Sequence, residues 1–165
     1  MIYVTLGTMF MDFERLVRKM DEIAGRTGES VVIQRGLSKI IPTHAQYFDF
    51  KPPEENLAIQ REARVIVCHA GIGAVRDALS TGRPLVVAPR LKRYGEHMND
   101  HQLDLAEAVA RRGWGRMILD IDDLDDACAN PPLPALDYRP AREGLIAAVR
   151  NMVERVAEEQ ARCMR

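Results

Sequence analysis

The residues best suited to chemistry in this chain sit where apolar runs give way to glycine. Val65-Ile66-Val67-Cys68 is followed by His69-Ala70-Gly71-Ile72-Gly73-Ala74, and Ile2-Tyr3-Val4-Thr5-Leu6 by Gly7-Thr8. Glycines at the end of a strand let the backbone approach a ligand closely, and the unpaired N–H groups that open the next helix attract an anion. The pattern outlines a diphosphate site. It is not a full dinucleotide fingerprint, because Gly71-Ile72-Gly73 continues as Ala74-Val75-Arg76 without a third glycine. No acidic residue stands about 20 positions on to hold a ribose. No GxxxxGK followed by Ser or Thr occurs, which excludes the P-loop of the NTPases.

Three other patterns carry less. His97 and His101 are four apart, the spacing of a metal pair on one helix face, but no HExxH order is present and no metal is expected. Asp120-Ile121-Asp122 has the spacing of a metal-binding DxD; at the end of a strand it is expected to cap the next helix. Cys68, Cys128 and Cys163 lie far apart and are odd in number, so neither a disulfide framework nor a zinc site is expected. Cys68 is expected to be a small core hydrophobe.

The elements that must position these residues alternate along the chain. Strands are expected at 2–6, 31–33, 47–50, 64–68, 85–88 and 116–121. Phe13, Leu16, Val17, Met20 and Ile23 recur at helical spacing, with Gly25 and Gly28 ending that helix. Further helices are expected after Pro53, over 73–80 and over 99–111. The run at 64–68 does not alternate with polar residues, as expected of a central strand covered on both faces. Strands separated by helices of this length predict an α/β fold, a Rossmann-like parallel sheet flanked by helices with right-handed crossovers. In such sheets ligands bind outside the carboxyl ends of the strands, where the glycines fall. A proline-rich linker is expected over 129–138. A long helix is expected over 139–164, starting near Pro140, with Leu145, Ile146, Val149, Met152, Val153 and Val156 as its apolar stripe. Its second half is long enough to offer a surface to a partner.

The 165 residues fit one domain, and 47% hydrophobic content is enough for a buried core. Twenty-three basic and 24 acidic residues leave a formal charge of −1, so nothing draws the chain to nucleic acid or to an acidic membrane. The opening MIYVTLG lacks the form of a signal peptide, and no apolar run reaches the ~20 residues of a membrane helix. A soluble, cytoplasmic protein is expected.

From Val65 to Gly113 the chain resembles the donor-binding segment of glycosyltransferase family 28. The opening VTLGT, the HAG turn, Gly82-Arg83-Pro84 with the strand and Pro89-Arg90 after it, YGEH and the DHQ triplet occur in the family's order. The likeness covers nearly the whole chain. It is strongest to the family's small single-domain members, the donor-binding subunits of two-part UDP-sugar transferases in dolichol-linked glycan, exopolysaccharide and capsule synthesis. The resemblance implies the C-terminal, donor-binding half of a GT-B glycosyltransferase. It implies that Gly7, Thr8, His69, Ala70, Gly71, Ile72 and Gly73 face the donor diphosphate. Asp77 falls where two-domain relatives use a glutamate for the ribose, one methylene longer. Phe50 falls where backbone reads uracil. His101 and Gln102 match the pair on the donor sugar, with Arg90, Glu96 and His97 on the same side.

Transfer from a UDP donor needs a cradle for the departing diphosphate, an acceptor held in line and a base for its proton. The resemblance implies that this chain supplies the cradle, that transfer inverts the anomeric centre without metal or other cofactor, and that the acceptor half carries the base. A membrane-associated partner subunit is expected to provide that half, with a lipid-linked acceptor. The chain would then work at the inner face of the membrane through its partner and be inactive alone. A homo-oligomer stays open, as do two other functions: a non-catalytic UDP-sugar-binding regulatory module, and a Rossmann-like dinucleotide enzyme.

Overall fold

The computed structural model describes residues 1–135, 137 and 138. Its centre is a six-stranded, wholly parallel sheet: β1 (Ile2–Thr5), β2 (Val31–Gln34), β3 (Gln46–Phe48), β4 (Val65–Cys68), β5 (Leu85–Val87) and β6 (Arg116–Met117). The spatial order is β3-β2-β1-β4-β5-β6, so the chain winds outward first to one side of β1 and then to the other. Strands β1 and β4 are buried along their full length, which is why their sequences are continuously apolar.

Among the described residues five α-helices cover the two faces: α1 (Glu14–Thr27), α2 (Pro53–Glu62), α3 (Ile72–Ser80), α4 (His101–Arg111) and α5 (Leu124–Ala129). The alternation of side chains along a strand sorts the core. Ile2, Val4, Val31, Ile33, Val65 and Val67 point to α1 and α5. Tyr3, Ile66, Cys68, Leu85 and Val87 point to the face carrying α3 and α4. Cys68 is fully buried there, and its thiol is pushed up to about 12 by burial. After α5 the chain returns to this second face, where Tyr138 meets Trp114 edge-to-face at 5.3 Å.

The Rossmann-like parallel sheet expected from the sequence is observed, with differences at element ends. Gly28, at φ 69°, ends α1, whereas Gly25 lies inside it. Gly25 is explained by a close approach: a Cβ there would fall 2.7 Å from the His44 ring. Strand β3 stops at Phe48, because the Asp49 carbonyl turns back to accept from the Gly36 N–H and the Gln34 side chain. Strand β6 ends at Met117 instead of running to Ile121. The chain leaves the sheet there, and the Asp120 carboxylate accepts from the Asp122 N–H to cap a short 3₁₀ turn, the capping role expected of it. The helix expected over 139–164, and Cys163, lie outside the described residues.

Candidate functional site

Strands β1 and β4 are neighbours, but their crossovers leave in opposite directions, and a crevice opens outside their carboxyl ends. This cleft encloses about 320 Å³, within the range of small-ligand sites. Its floor is built from strand ends.

On the β1 side, Gly7 adopts φ 74°, and its N–H donates to Thr5 Oγ1 at 3.3 Å. Buried Gln34, the last residue of β2, then ties three elements together. Its Oε1 accepts from Thr5 Oγ1 at 2.5 Å, and its Nε2 donates to the carbonyls of Gly7 at 3.1 Å and Asp49 at 3.0 Å. Gly36 packs directly on this loop, since a Cβ there would stand 2.4 Å from the Gly7 oxygen. The loop is therefore held from below, and its upper surface faces the cleft.

On the β4 side, His69 is 8% exposed, with its ring Nδ1 3.4 Å from the Thr5 carbonyl. Two glycines make room for the ring: a Cβ on Gly71 would fall 2.2 Å from Nε2, and one on Gly7 2.4 Å from Cε1. Burial, followed by the nearby Arg90 charge, pushes its pKa down to about 4, so the imidazole is neutral at pH 7. Helix α3 starts at once, and its first helical bond runs from Val75 N–H to the Gly71 carbonyl. The N–H groups of Ile72, Gly73 and Ala74 thus lack helical partners, no side chain among the described residues caps them, and the first turn carries no acidic residue. A helix end of this kind attracts anions. A Cβ on Gly73 would meet nothing within 4 Å, so the cleft is open above it.

The structure thus gathers Gly7, Thr8, His69, Gly71 and Gly73 around one cleft, with Asp77 and Phe50 on the same lining. Asp77 lies one turn beyond Gly73 on α3, and Arg76 donates to its carboxylate at 2.7 Å. Phe50 is half-exposed, and none of the hydrogen bonds among the described residues engages its backbone N–H or carbonyl. Ala70 is buried in the core, and the Ile72 side chain faces solvent, which leaves only their backbone to contribute.

The residues expected on the sugar side divide differently. Arg90 does not line the cleft: it is 1% exposed, the largest fully buried side chain described. Its guanidinium donates to the carbonyls of Met11 at 2.7 Å, Asp12 at 2.9 Å, Glu96 at 3.3 Å and Leu6 at 3.1 Å, and lies 4.8 Å from the centre of the Phe13 ring. Burial pulls its pKa down to about 10, still cationic at pH 7. Glu96 is buried in an ion pair with Arg15 at 2.6 Å and accepts from the Leu91 N–H at 3.0 Å. Gln102 is buried too, its Oε1 accepting from the Arg90 N–H at 3.0 Å. His97 and His101 do meet, edge-to-face at 4.5 Å, and His101 at the start of α4 is exposed. His97 is partly buried and held below its usual pKa by that burial, then by His101 and Arg90.

Sequence patterns missed Thr5, Gln34, Lys51, Asn56 and Gln60, all on the lining. Gln34 had a signal, a polar residue closing an apolar strand. The two amides on α2 had none, because only the packing of α2 beside α3 turns them toward the cleft. Among the described residues no cluster of three or more His, Cys, Asp or Glu side chains is arranged to hold a metal ion, and no helix is long and apolar enough to cross a membrane.

A parallel sheet wound outward from its centre, with glycine turns at the switch point, defines a Rossmann-type domain of the GT-B glycosyltransferase kind. Residues 1–156 match the glycosyltransferase family 28 C-terminal domain, and the chain belongs to that family. The UDP-N-acetylglucosamine transferase subunit ALG13 of Homo sapiens is 29% identical over 121 residues, covering 68% of this chain. The Mus musculus protein of the same name is also 29% identical, covering 67%. The chain spans 10% of the length of each. The crystal structure of the glycotransferase of kitacinnamycin superposes with a TM-score of 0.59 at 25% identity, over 78% of this chain and 33% of that one. An NMR solution structure of ALG13 shares the fold at a TM-score of 0.58 and 18% identity, over 87% of this chain and 93% of that one.

Proposed function

We infer that this chain is the donor-binding subunit of an inverting, metal-independent glycosyltransferase that takes a UDP-sugar and serves a lipid-linked acceptor. The observation that carries this is the meeting of Gly7, Thr8, His69, Gly71 and Gly73 in one cleft, with Asp77 and Phe50 on its wall. Membership of family 28 and likeness to a UDP-N-acetylglucosamine transferase subunit support it.

In this mechanism an acceptor hydroxyl attacks the anomeric carbon, the bond to the diphosphate breaks, and UDP carries off the electron pair. The negative charge that develops on the diphosphate is met by the free N–H groups of Gly73 and Ala74 and by the positive end of α3. No metal is invoked. The Phe50 N–H and carbonyl supply one donor and one acceptor for the uracil edge, and Asp77 accepts from the ribose. His101 and His97 are assigned to the donor sugar. The base that takes the acceptor's proton is assigned to a membrane-associated partner subunit, which would bring this chain to the inner face of the membrane.

The test is a thermal-shift panel. UDP and a UDP-sugar are expected to raise the melting temperature, and NAD, ATP and a GDP-sugar are not. Ligand at 100 times its dissociation constant stabilises by about 2.7 kcal/mol. A shift with NAD and none with UDP would assign the cleft to another ligand class.

A further inference from the structure

Two amide side chains on the cleft wall, one turn apart on α2, have no place in the function described so far. Asn56 is fixed from beneath. The hydroxyl of Tyr3, fully buried and held protonated because burial raises its pKa, donates to Asn56 Oδ1. With its oxygen engaged by the core, the Asn56 amide has its NH₂ group left to donate. Gln60 is the opposite case. It is 2% exposed, and its Oε1 is a buried acceptor with no hydrogen-bond partner among the described residues. Among the described residues only two other buried side-chain atoms are orphaned in this way, Arg15 Nη1 and Arg90 Nε, and neither residue lines the cleft. A buried amide oxygen without a donor is costly, so a donor is expected from outside the chain.

The position narrows what that donor is. Helix α2 packs beside α3, and Asn56 and Gln60 share the lining with Ala74 and Asp77. Asp77 lies about 6 Å along α3 from Gly73, at 1.5 Å per residue. That displacement carries a ligand from its diphosphate to its ribose. A ribose cis-diol brings two O–H donors and two acceptor oxygens. The wall offers one acceptor, Asp77, one donor, the Asn56 NH₂, and a second acceptor once the Gln60 amide turns its buried oxygen outward.

We propose that Asn56 and Gln60 complete a ribose-diol clamp with Asp77 and select ribo- over 2′-deoxyribonucleotides. The proposal rests on the UDP-sugar reading of the cleft and adds two specificity-determining residues to it. On binding, the Gln60 amide turns its unpartnered oxygen toward a ribose hydroxyl, a rotation that breaks no existing hydrogen bond of that atom. A site built to pair a hydroxyl rejects the analogue lacking it, because its own polar groups are then left unpaired.

The experiment compares UDP, 2′-deoxy-UDP and CDP by calorimetric titration on the native chain and on Gln60→Leu and Asn56→Leu. The native chain is expected to favour UDP over 2′-deoxy-UDP by about 10- to 100-fold. Gln60→Leu should weaken UDP about tenfold, leave 2′-deoxy-UDP within about twofold, and so collapse the ratio. The same variant should melt no lower than the native chain, since it removes an orphaned buried acceptor; a residue with a merely structural role would not combine unchanged stability with lost affinity. Equal weakening of UDP and 2′-deoxy-UDP, or a ratio equal to that of the native chain, would overturn the proposal. So would a change confined to UDP against CDP, which would place the amides on the base. Native protein that binds neither UDP nor a UDP-sugar would overturn the donor reading itself, and this proposal with it.

Discussion

Gly71 and Gly73 are two residues apart and face different neighbours. A side chain on Gly71 runs into the His69 ring, whereas one on Gly73 enters open cleft. Gly73→Val is therefore expected to weaken UDP binding at least about tenfold at a native melting temperature, because valine is tolerated in a helix better than glycine. Gly71→Val should lower the melting temperature itself. Thermal melts of both variants with and without UDP separate the two effects, and normal UDP binding by a folded Gly73→Val protein would move the diphosphate elsewhere. His69 makes a second residue-scale prediction. Its pKa is about 4 when folded, against an ordinary 6.5, so between these pH values the unfolded chain binds a proton that the native chain refuses. Stability contributed by the neutral, buried ring is full above pH 6.5 and is lost as the pH falls towards 4, by on the order of 3 kcal/mol. The native chain should thus lose more stability across that window than His69→Asn, measured by urea unfolding at a series of pH values. Parallel pH profiles would show that the ring titrates normally.

At the scale of elements, the cleft is held open by side chains beneath it. Arg90 bonds to carbonyls of the β1–α1 loop and of the loop between β5 and α4, and the Arg15–Glu96 pair ties the first turn of α1 to the second of these loops. Arg90→Met leaves four carbonyls without this donor, two of them, on Leu6 and Glu96, in buried bonds and two, on Met11 and Asp12, in partly buried ones. It should cost about 3–5 kcal/mol, a fall in melting temperature of roughly 10 °C for a chain of this size. If Arg90 instead contacted the donor sugar, the variant would melt normally and lose affinity for UDP-sugar but not for UDP. Gln34 belongs to the same scale: a single amide sets the height of the Gly7 loop relative to β2 and β3. The glycines were legible in the sequence because a turn beside a helix start constrains composition locally. These braces were not, because Arg90 and Leu6 are 84 positions apart and only the folded sheet makes them neighbours.

For the whole molecule, the proposed cleft accounts for one substrate of two. The chain is expected to bind UDP-sugar alone, yet to transfer nothing to any lipid-linked or soluble acceptor until an acceptor-binding partner is added. A radiolabel-transfer assay with and without a co-purified partner checks this, and robust transfer by the isolated chain would refute it. Phe10, Leu37, Ile41, Ile72 and Met98 are large apolar side chains left exposed on the described surface. The helix expected over 139–164 lies outside the described residues and adds nothing to this picture.

The sequence by itself determined the sheet, the family and the two glycine turns. Strand burial on both faces writes continuous apolar runs, and a turn packed closely against a neighbouring ring, as Gly7 and Gly71 are against His69, writes glycine, so both leave marks within a few neighbouring residues. The ends of β3 and β6 blurred, because a strand stops where its neighbour's hydrogen bonds or a capping carboxylate pull it away. Only the tertiary structure decided which polar residues turn inward as braces and which line the cleft. Arg90, Glu96 and Gln102 carry groups fit for a sugar, but the folded chain uses them to bond its own backbone or, for Glu96, also Arg15. Asn56 and Gln60 carry no local mark, yet they reach the wall because α2 lies against α3. A side chain's hydrogen-bonding capacity is set by its type, but whether core, backbone or ligand takes it up depends on contacts distant in sequence.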